Sequence, residues 1–316
     1  MERSVDMAEQ TFVFGPERNL VGTVTLPGAE SGNAPDIMLL LTNAGVIPRT
    51  GPHRINVTLA RHFAKLGVAA LRFDLSGLGD SRRSSSRLTA DEQFVADTQC
   101  AMDFARQRFG CERFLMIGFC SGGDVAQLTA LSDQRLIGIL LWDSYVYPPF
   151  RAKLLGLRHR ARRHGLAPAF VKGVRFVRAA LQARVAQAQR AGDSPVTEGP
   201  VIFGRSRMPP KEEFGAGVRE LVDRGVVVCF VYSGGEPDWY NYGGQFADMY
   251  RSFGFVERVG YEYLSGSDHT LTQPASQAAL TSLAEQWFLG HVVPSLKRSG
   301  DTRKLSGPPT KSLQAA

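Results

Sequence analysis

The chain has 316 residues, with 43% hydrophobic, 21% charged and 9% aromatic residues. That is enough for one large hydrophobic core plus an insertion, and the dispersed 33 glycines and 17 prolines exclude collagen-like repeats and wholesale disorder. No apolar run is long enough for a membrane span and the first ten residues lack a signal-peptide core, so a cytoplasmic protein without integral membrane association is expected. The four cysteines, Cys100, Cys111, Cys120 and Cys229, lack metal-ligand spacing and fit a reducing compartment.

Thr11 to Gly15 and Leu20 to Pro27 read as two strands around a turn. Asp36 to Thr42, Gly67 to Asp74, Phe114 to Phe119 and Leu136 to Tyr145 read as buried strands, being short continuous apolar runs. Between them, helices are predicted over Ile55 to Lys65, Ala90 to Phe109 and Ser121 to Leu131. Thr89, three residues before Glu92, supplies a capping box for the second helix. After the insertion come a helix over Lys211 to Arg224, a strand over Val226 to Ser233 and a further helix. A last strand over Val256 to Leu264 and a helix over Ala275 to Phe288 complete the pattern. This alternation predicts an α/β fold with a mostly parallel central sheet flanked by helices. Residues 1–147 and 209–292 form the expected core, 148–208 an inserted helical cap, and 293–316 a flexible basic tail.

The net charge of +7 is concentrated in that cap. Arg151 to Arg190 holds eleven Lys/Arg and no Asp/Glu, so the rest of the chain is net acidic. Such a segment suits an anionic substrate, an acidic carrier protein or a membrane surface, or is a solvated helical face. Aromatic-interleaved basic motifs are absent, so nucleic acid is not an expected partner.

The segment Ile117-Gly118-Phe119-Cys120-Ser121-Gly122-Gly123 joins a buried strand to a helix, the context of a nucleophile elbow. The cramped turn requires small neighbours two positions away, which Gly118 and Gly122 supply around Cys120. Centring on Ser121 instead places Phe119 where a small residue is needed. A thiol at the start of a helix is placed where thiolate is favoured. His269, in a polar loop after the last strand, is the expected base. Asp238, in the loop after the preceding strand, is the expected orienting acid, with Glu236 in the same loop and Asp143 as alternatives. Asp268 is expected to brace the histidine loop, and Asp74 and Asp80 to tie strand and loop backbones together. The backbone amide of Ser121 is one expected oxyanion donor, and that of Ala44, with Gly45 as the alternative, is the second. Arg49, His53, Arg54 and Trp239 are candidate substrate contacts at the mouth, although Arg54 serves equally to hold the loop to Asp74 or Asp80 as a structural ion pair. Neither a dinucleotide fingerprint nor metal-ligand spacing is present, so no cofactor or metal is expected.

The glycine-flanked nucleophile, the late acid loop and the final Asp268-His269 loop resemble the α/β-hydrolase superfamily over about residues 11 to 290. Asn43-Ala44-Gly45, Arg49 to Arg54 and Arg72 to Ser81 are similar to hydrolases associated with bacterial exosortase systems. The elbow, Gly118 to Gly123, is similar to that of dienelactone hydrolases, which use a cysteine nucleophile, and to that of polyhydroxyalkanoate synthases. These resemblances imply a thioesterase- or esterase-like acyl hydrolase, with coenzyme A or an acyl carrier protein as a carrier for a thioester substrate. Transfer of the acyl group to an alcohol or amine, and a non-catalytic scaffold of the same fold, are the alternative implications.

Overall fold

The computed structural model describes residues 8–28, 37–164 and 208–298. In chain order these form strands β1 (Ala8–Phe14), β2 (Leu20–Leu26) and β3 (Ile37–Leu41), helix α1 (Ile55–Lys65), β4 (Ala69–Asp74), α2 (Ala90–Phe109), β5 (Arg113–Phe119), α3 (Ser121–Ser132) and β6 (Leu136–Trp142). There follow α4 (Phe150–His164), α5 (Lys211–Asp223), β7 (Val227–Ser233), α6 (Gln245–Tyr250), β8 (Gly260–Leu264), α7 (Pro274–Trp287) and α8 (Val293–Arg298). The strands make one eight-stranded sheet in the order β1-β2-β4-β3-β5-β6-β7-β8. Only the β1–β2 and β2–β4 pairs are antiparallel.

The continuous apolar strands bury both faces, as their sequence requires. On β3, Met38 and Leu40 enter one core while Ile37, Leu39 and Leu41 enter the other. The first core is closed by Met102 of α2, Val125 of α3 and Phe214 and Val218 of α5. Leu59 and Phe63 of α1 and Leu280 and Trp287 of α7 close the second. β3 has β4 on one side and β5 on the other, so the chain reverses its direction of travel across the sheet there. The loops after β3 and β5 therefore meet at the carboxyl ends of the strands, the usual place for a site in such sheets.

The capping box forms as the sequence predicts: Thr89 accepts from Glu92 N–H, and the Glu92 carboxylate accepts the Thr89 N–H at 2.9 Å. Two terminal expectations are corrected. Val256–Arg258 is a 3-10 turn rather than the start of β8, closed by Arg258 N–H on Phe255 O at 2.8 Å. Arg258 also reaches Asp223 Oδ1 at 2.6 Å, an anchor that strand periodicity does not reveal. Val293–Arg298 is helical instead of aperiodic and continues the preceding helix through the π-helical turn Phe288–Val292, which lies just before Pro294, a residue with no N–H to donate. Of the expected cap, α4 and the approach to α5 are described; residues 165–207 and the tail beyond 298 lie outside the described residues.

Candidate functional site

Cys120 stands between β5 and α3 with φ +53° and ψ −119°, the strained backbone of an elbow. Its N–H donates to Trp142 O at 2.9 Å, and its carbonyl accepts Gly123 N–H at 3.0 Å. The glycine requirement is steric: a Cβ on Gly118 collides with the Gly122 carbonyl, and one on Gly122 comes within 2.7 Å of Asn43 O. The elbow thus touches both its own strand and the loop after β3.

His269 Nδ1 lies 2.8 Å from Asp143 Oδ2, and the ring is also hydrogen-bonded to Cys120. With Nδ1 held by the carboxylate, Nε2 is the nitrogen left for the thiol. Asp143, and then Cys120, push the imidazole up to about 10, and these contacts outweigh the opposing effect of burial. A connected carboxylate, imidazole and thiol can hold an imidazolium against a thiolate and so activate sulfur as a nucleophile.

The carboxylate that holds His269 is therefore Asp143, the alternative at the end of β6, and not the expected Asp238. Asp143 adopts φ +47°, a conformation that aspartate tolerates better than most residues. Ser233, at the end of β7, donates its N–H to Oδ1 and its hydroxyl to Oδ2, both at 2.7 Å. Two residues on, the Tyr145 carbonyl accepts the hydroxyls of Tyr232 and Tyr250, each at 3.1 Å. Asp238 instead pairs with Arg160 of α4 at 3.2 Å, and no hydrogen bond of the Glu236 side chain appears among the described residues.

The histidine loop is also pinned. Trp142 Nε1 donates to His269 O at 3.0 Å, and Gly234 N–H donates to Ser267 O at 3.0 Å. Asp268 braces the loop, accepting from Thr272 N–H at 2.8 Å and from the Thr270 hydroxyl at 3.0 Å.

The loop after β3 meets the elbow through Ser121, whose Oγ accepts Gly45 N–H at 2.9 Å. Ala44 bridges Ile47, which donates its N–H to Ala44 O at 3.0 Å. Asn43 Nδ2 donates to Asp74 Oδ1 at 2.8 Å, and its Oδ1 accepts Leu75 N–H at 2.8 Å. Fully buried Asp74 also accepts from Arg49 Nη1 at 2.5 Å and from Arg49 N–H at 2.7 Å. Arg49 Nη1 contacts Asp80 Oδ2 at 2.6 Å as well. Arg49 is thus withdrawn as a substrate contact, since its guanidinium closes the loop on two carboxylates. His53 and Arg54 are exposed at the start of α1, both with left-handed φ, and Trp239 is 55% exposed on the loop after β7. Sequence reasoning missed the Ser233 hydroxyl and the Trp142 indole, which lie on strands read only as apolar.

Comparison with known proteins agrees with this architecture. A family model described as serine aminopeptidase, S33, matches residues 53–167, a span that includes Cys120 and Asp143 and ends before His269. An α/β serine hydrolase without a lid from Xanthomonas campestris superposes with a TM-score of 0.51 at 11% identity, over 94% of this chain and 96% of that one. An esterase from Pyrococcus furiosus gives 0.51 at 12% identity, over 90% and 91%. A dienelactone-hydrolase-like protein from Klebsiella pneumoniae gives 0.52 at 15% identity, over 90% and 98%. No curated protein matches the sequence. The chain has the α/β-hydrolase fold.

Proposed function

We propose that this chain is an acyl hydrolase that acts on an ester or thioester with Cys120 as nucleophile. The observation that carries the reading is the unbroken hydrogen-bond chain from Asp143 through His269 to Cys120, at an elbow whose nucleophile has a left-handed φ. His269 is protonated near neutral pH in this arrangement, which favours thiolate at Cys120. The sulfur adds to the acyl carbon, forming the C–S bond while the carbonyl electron pair moves to oxygen. Ser121 N–H, in the first turn of α3 where helix amides lack internal partners, receives that charge. Ala44 N–H is the second donor: Gly45 N–H is already engaged by the Ser121 hydroxyl. Collapse expels the alkoxide or thiolate leaving group, which takes the proton from His269 Nε2. Neutral His269 then takes a proton from water as its oxygen adds to the thioester carbon, and Cys120 leaves as thiolate.

Coenzyme A and an acyl carrier protein are the thiol leaving groups to test, and Trp239, His53 and Arg54 are the exposed candidates for contact with them. None of the four cysteines is in a disulfide, which fits a reducing, cytoplasmic setting. The test is turnover of matched acyl esters and acyl thioesters, with and without alcohol or amine acceptors. Free acid as the product, lost in Cys120→Ala and His269→Ala, supports hydrolysis; an ester or amide formed only with acceptor makes the chain a transferase. Turnover undiminished in Cys120→Ala overturns the nucleophile, and no turnover by the unaltered chain on any substrate favours a scaffold.

A further inference from the structure

Helix α4 carries a face that the proposed acyl chemistry does not use. Its inner side is clamped to the loop after β7. Ala152 is buried and its carbonyl accepts Asn241 Nδ2 at 2.9 Å; Gly156 backs onto the Pro237 carbonyl and Asp238; Arg160 pairs with Asp238 at 3.2 Å. Arg151 lies 4.6 Å over the ring of Tyr242. The loop that receives α4 reaches the histidine loop in turn, because Gly235 packs on the backbones of Asp268 and His269. The helix therefore forms part of the rim beside His269.

Its outer side is ordered in rows. Phe150, Leu154, Leu157 and Ala161 follow one another at steps of four, three and four residues, which brings them onto one line along the helix. Phe150 is 81% exposed and Leu154 57%. Arg158 and Arg162 lie on the neighbouring row, exposed like them. No acidic residue occurs between Asp143 and Asp193. No helix among the described residues is long and apolar enough to cross a membrane.

We propose that α4 docks on the surface of an anionic lipid bilayer, with Phe150 and Leu154 entering the headgroup layer and Arg158 and Arg162 meeting lipid phosphates. An acidic protein is the other surface that meets such cations, and it is an outcome of the test below. A bilayer offers both chemistries in the right order, negative charge at the surface and hydrocarbon directly beneath it. The helix lies in the plane of the interface and presents the rim of the site to the lipid. Docking requires no turnover, so this inference and the acyl-hydrolase reading fail independently.

The test is co-sedimentation of the full chain with vesicles of phosphatidylcholine alone and of phosphatidylcholine mixed with phosphatidylglycerol. Binding is expected only to the anionic vesicles, falling steeply towards ~1 M salt, where the Debye length is ~3 Å. Arg158→Gln with Arg162→Gln should weaken partitioning about thirtyfold, the effect of two surface cations at about 1 kcal/mol each. Phe150→Ser with Leu154→Ser should weaken it at low and high salt alike, and circular dichroism should show both variants folded. The inference is overturned if the unaltered chain does not bind anionic vesicles, or if neither pair of substitutions changes binding. It is also overturned if vesicles are ignored while an acidic acyl carrier protein binds with the same dependence on Arg158 and Arg162.

Discussion

Replacing Asp143 with asparagine separates the two candidate acids most sharply. The change keeps the side-chain shape and one carbonyl oxygen, so Ser233 N–H retains its acceptor, while an amide NH₂ faces His269 Nδ1 in place of Oδ2. The imidazole then loses the first of the two contacts that hold it up to about 10, and it is pushed towards the wrong tautomer. In serine triads the equivalent change lowers kcat about 10⁴-fold. Here the second support, Cys120, is retained, so a loss of about 10² to 10³-fold in kcat/KM is expected, with a stability cost of only about 1–2 kcal/mol. The control is Asp238→Asn, which removes an ion pair between side chains that are 37% and 44% exposed. Such pairs contribute about 0–1 kcal/mol, and hydrolysis of a small ester should stay within a few-fold of the unaltered chain. Steady-state kinetics on one chromogenic ester, with thermal melts of each variant, makes the comparison. If Asp143→Asn keeps full activity while Asp238→Asn loses it, the assignment of the acid is wrong.

Cys120 should react with iodoacetamide down to about pH 6, whereas in His269→Gln its reactivity should rise only towards the ordinary thiol range near ~8.5; identical profiles would contradict the thiolate–imidazolium pair. Burial pushes Cys229 up to about 12 and also raises Cys100, so peptide mapping should find Cys120 labelled first. The raised imidazole has a signature in stability: its contribution is complete below about 6.5 and is lost as pH rises towards about 10. The melting-temperature advantage over His269→Gln should therefore shrink across that range, and an advantage that grows with pH would refute the sign. Gly118→Ala should destabilise by about 3 kcal/mol, since backbone blocks its Cβ, while Gly266→Ala, with no atom near its Cβ, should be neutral; equal melts for the two would remove the steric account of the elbow.

The elbow was legible because its constraint is local: two glycines flanking Cys120 at the end of an apolar strand are a steric pattern within seven residues. Helix α2 was legible for the same reason, through a capping box three residues wide. The carboxylate that holds His269 was not, because Asp143 and Asp238 both follow strand ends and the choice depends on where those ends lie relative to His269. Ser233 decides it by donating twice to Asp143, over a separation of 90 residues that no periodicity encodes. Asp238 drew attention through its place in a polar loop, but that loop holds α4 instead. Arg49 misled in a related way. A cation beside a glycine-rich turn reads as an anion site until its two carboxylates, 25 and 31 residues away, are seen to enclose it.

The central claim is that an acyl group passes through the sulfur of Cys120. Rapid acid quench during turnover of a slow acyl ester, followed by intact-protein and peptide mass spectrometry, tests it most directly. The expected result is one acyl group per chain, borne as a thioester on the peptide that contains Cys120, removed by neutral hydroxylamine and absent from Cys120→Ala. An acyl group on the Ser121 hydroxyl, or an acylated Cys120→Ala chain that still turns over, would contradict the account.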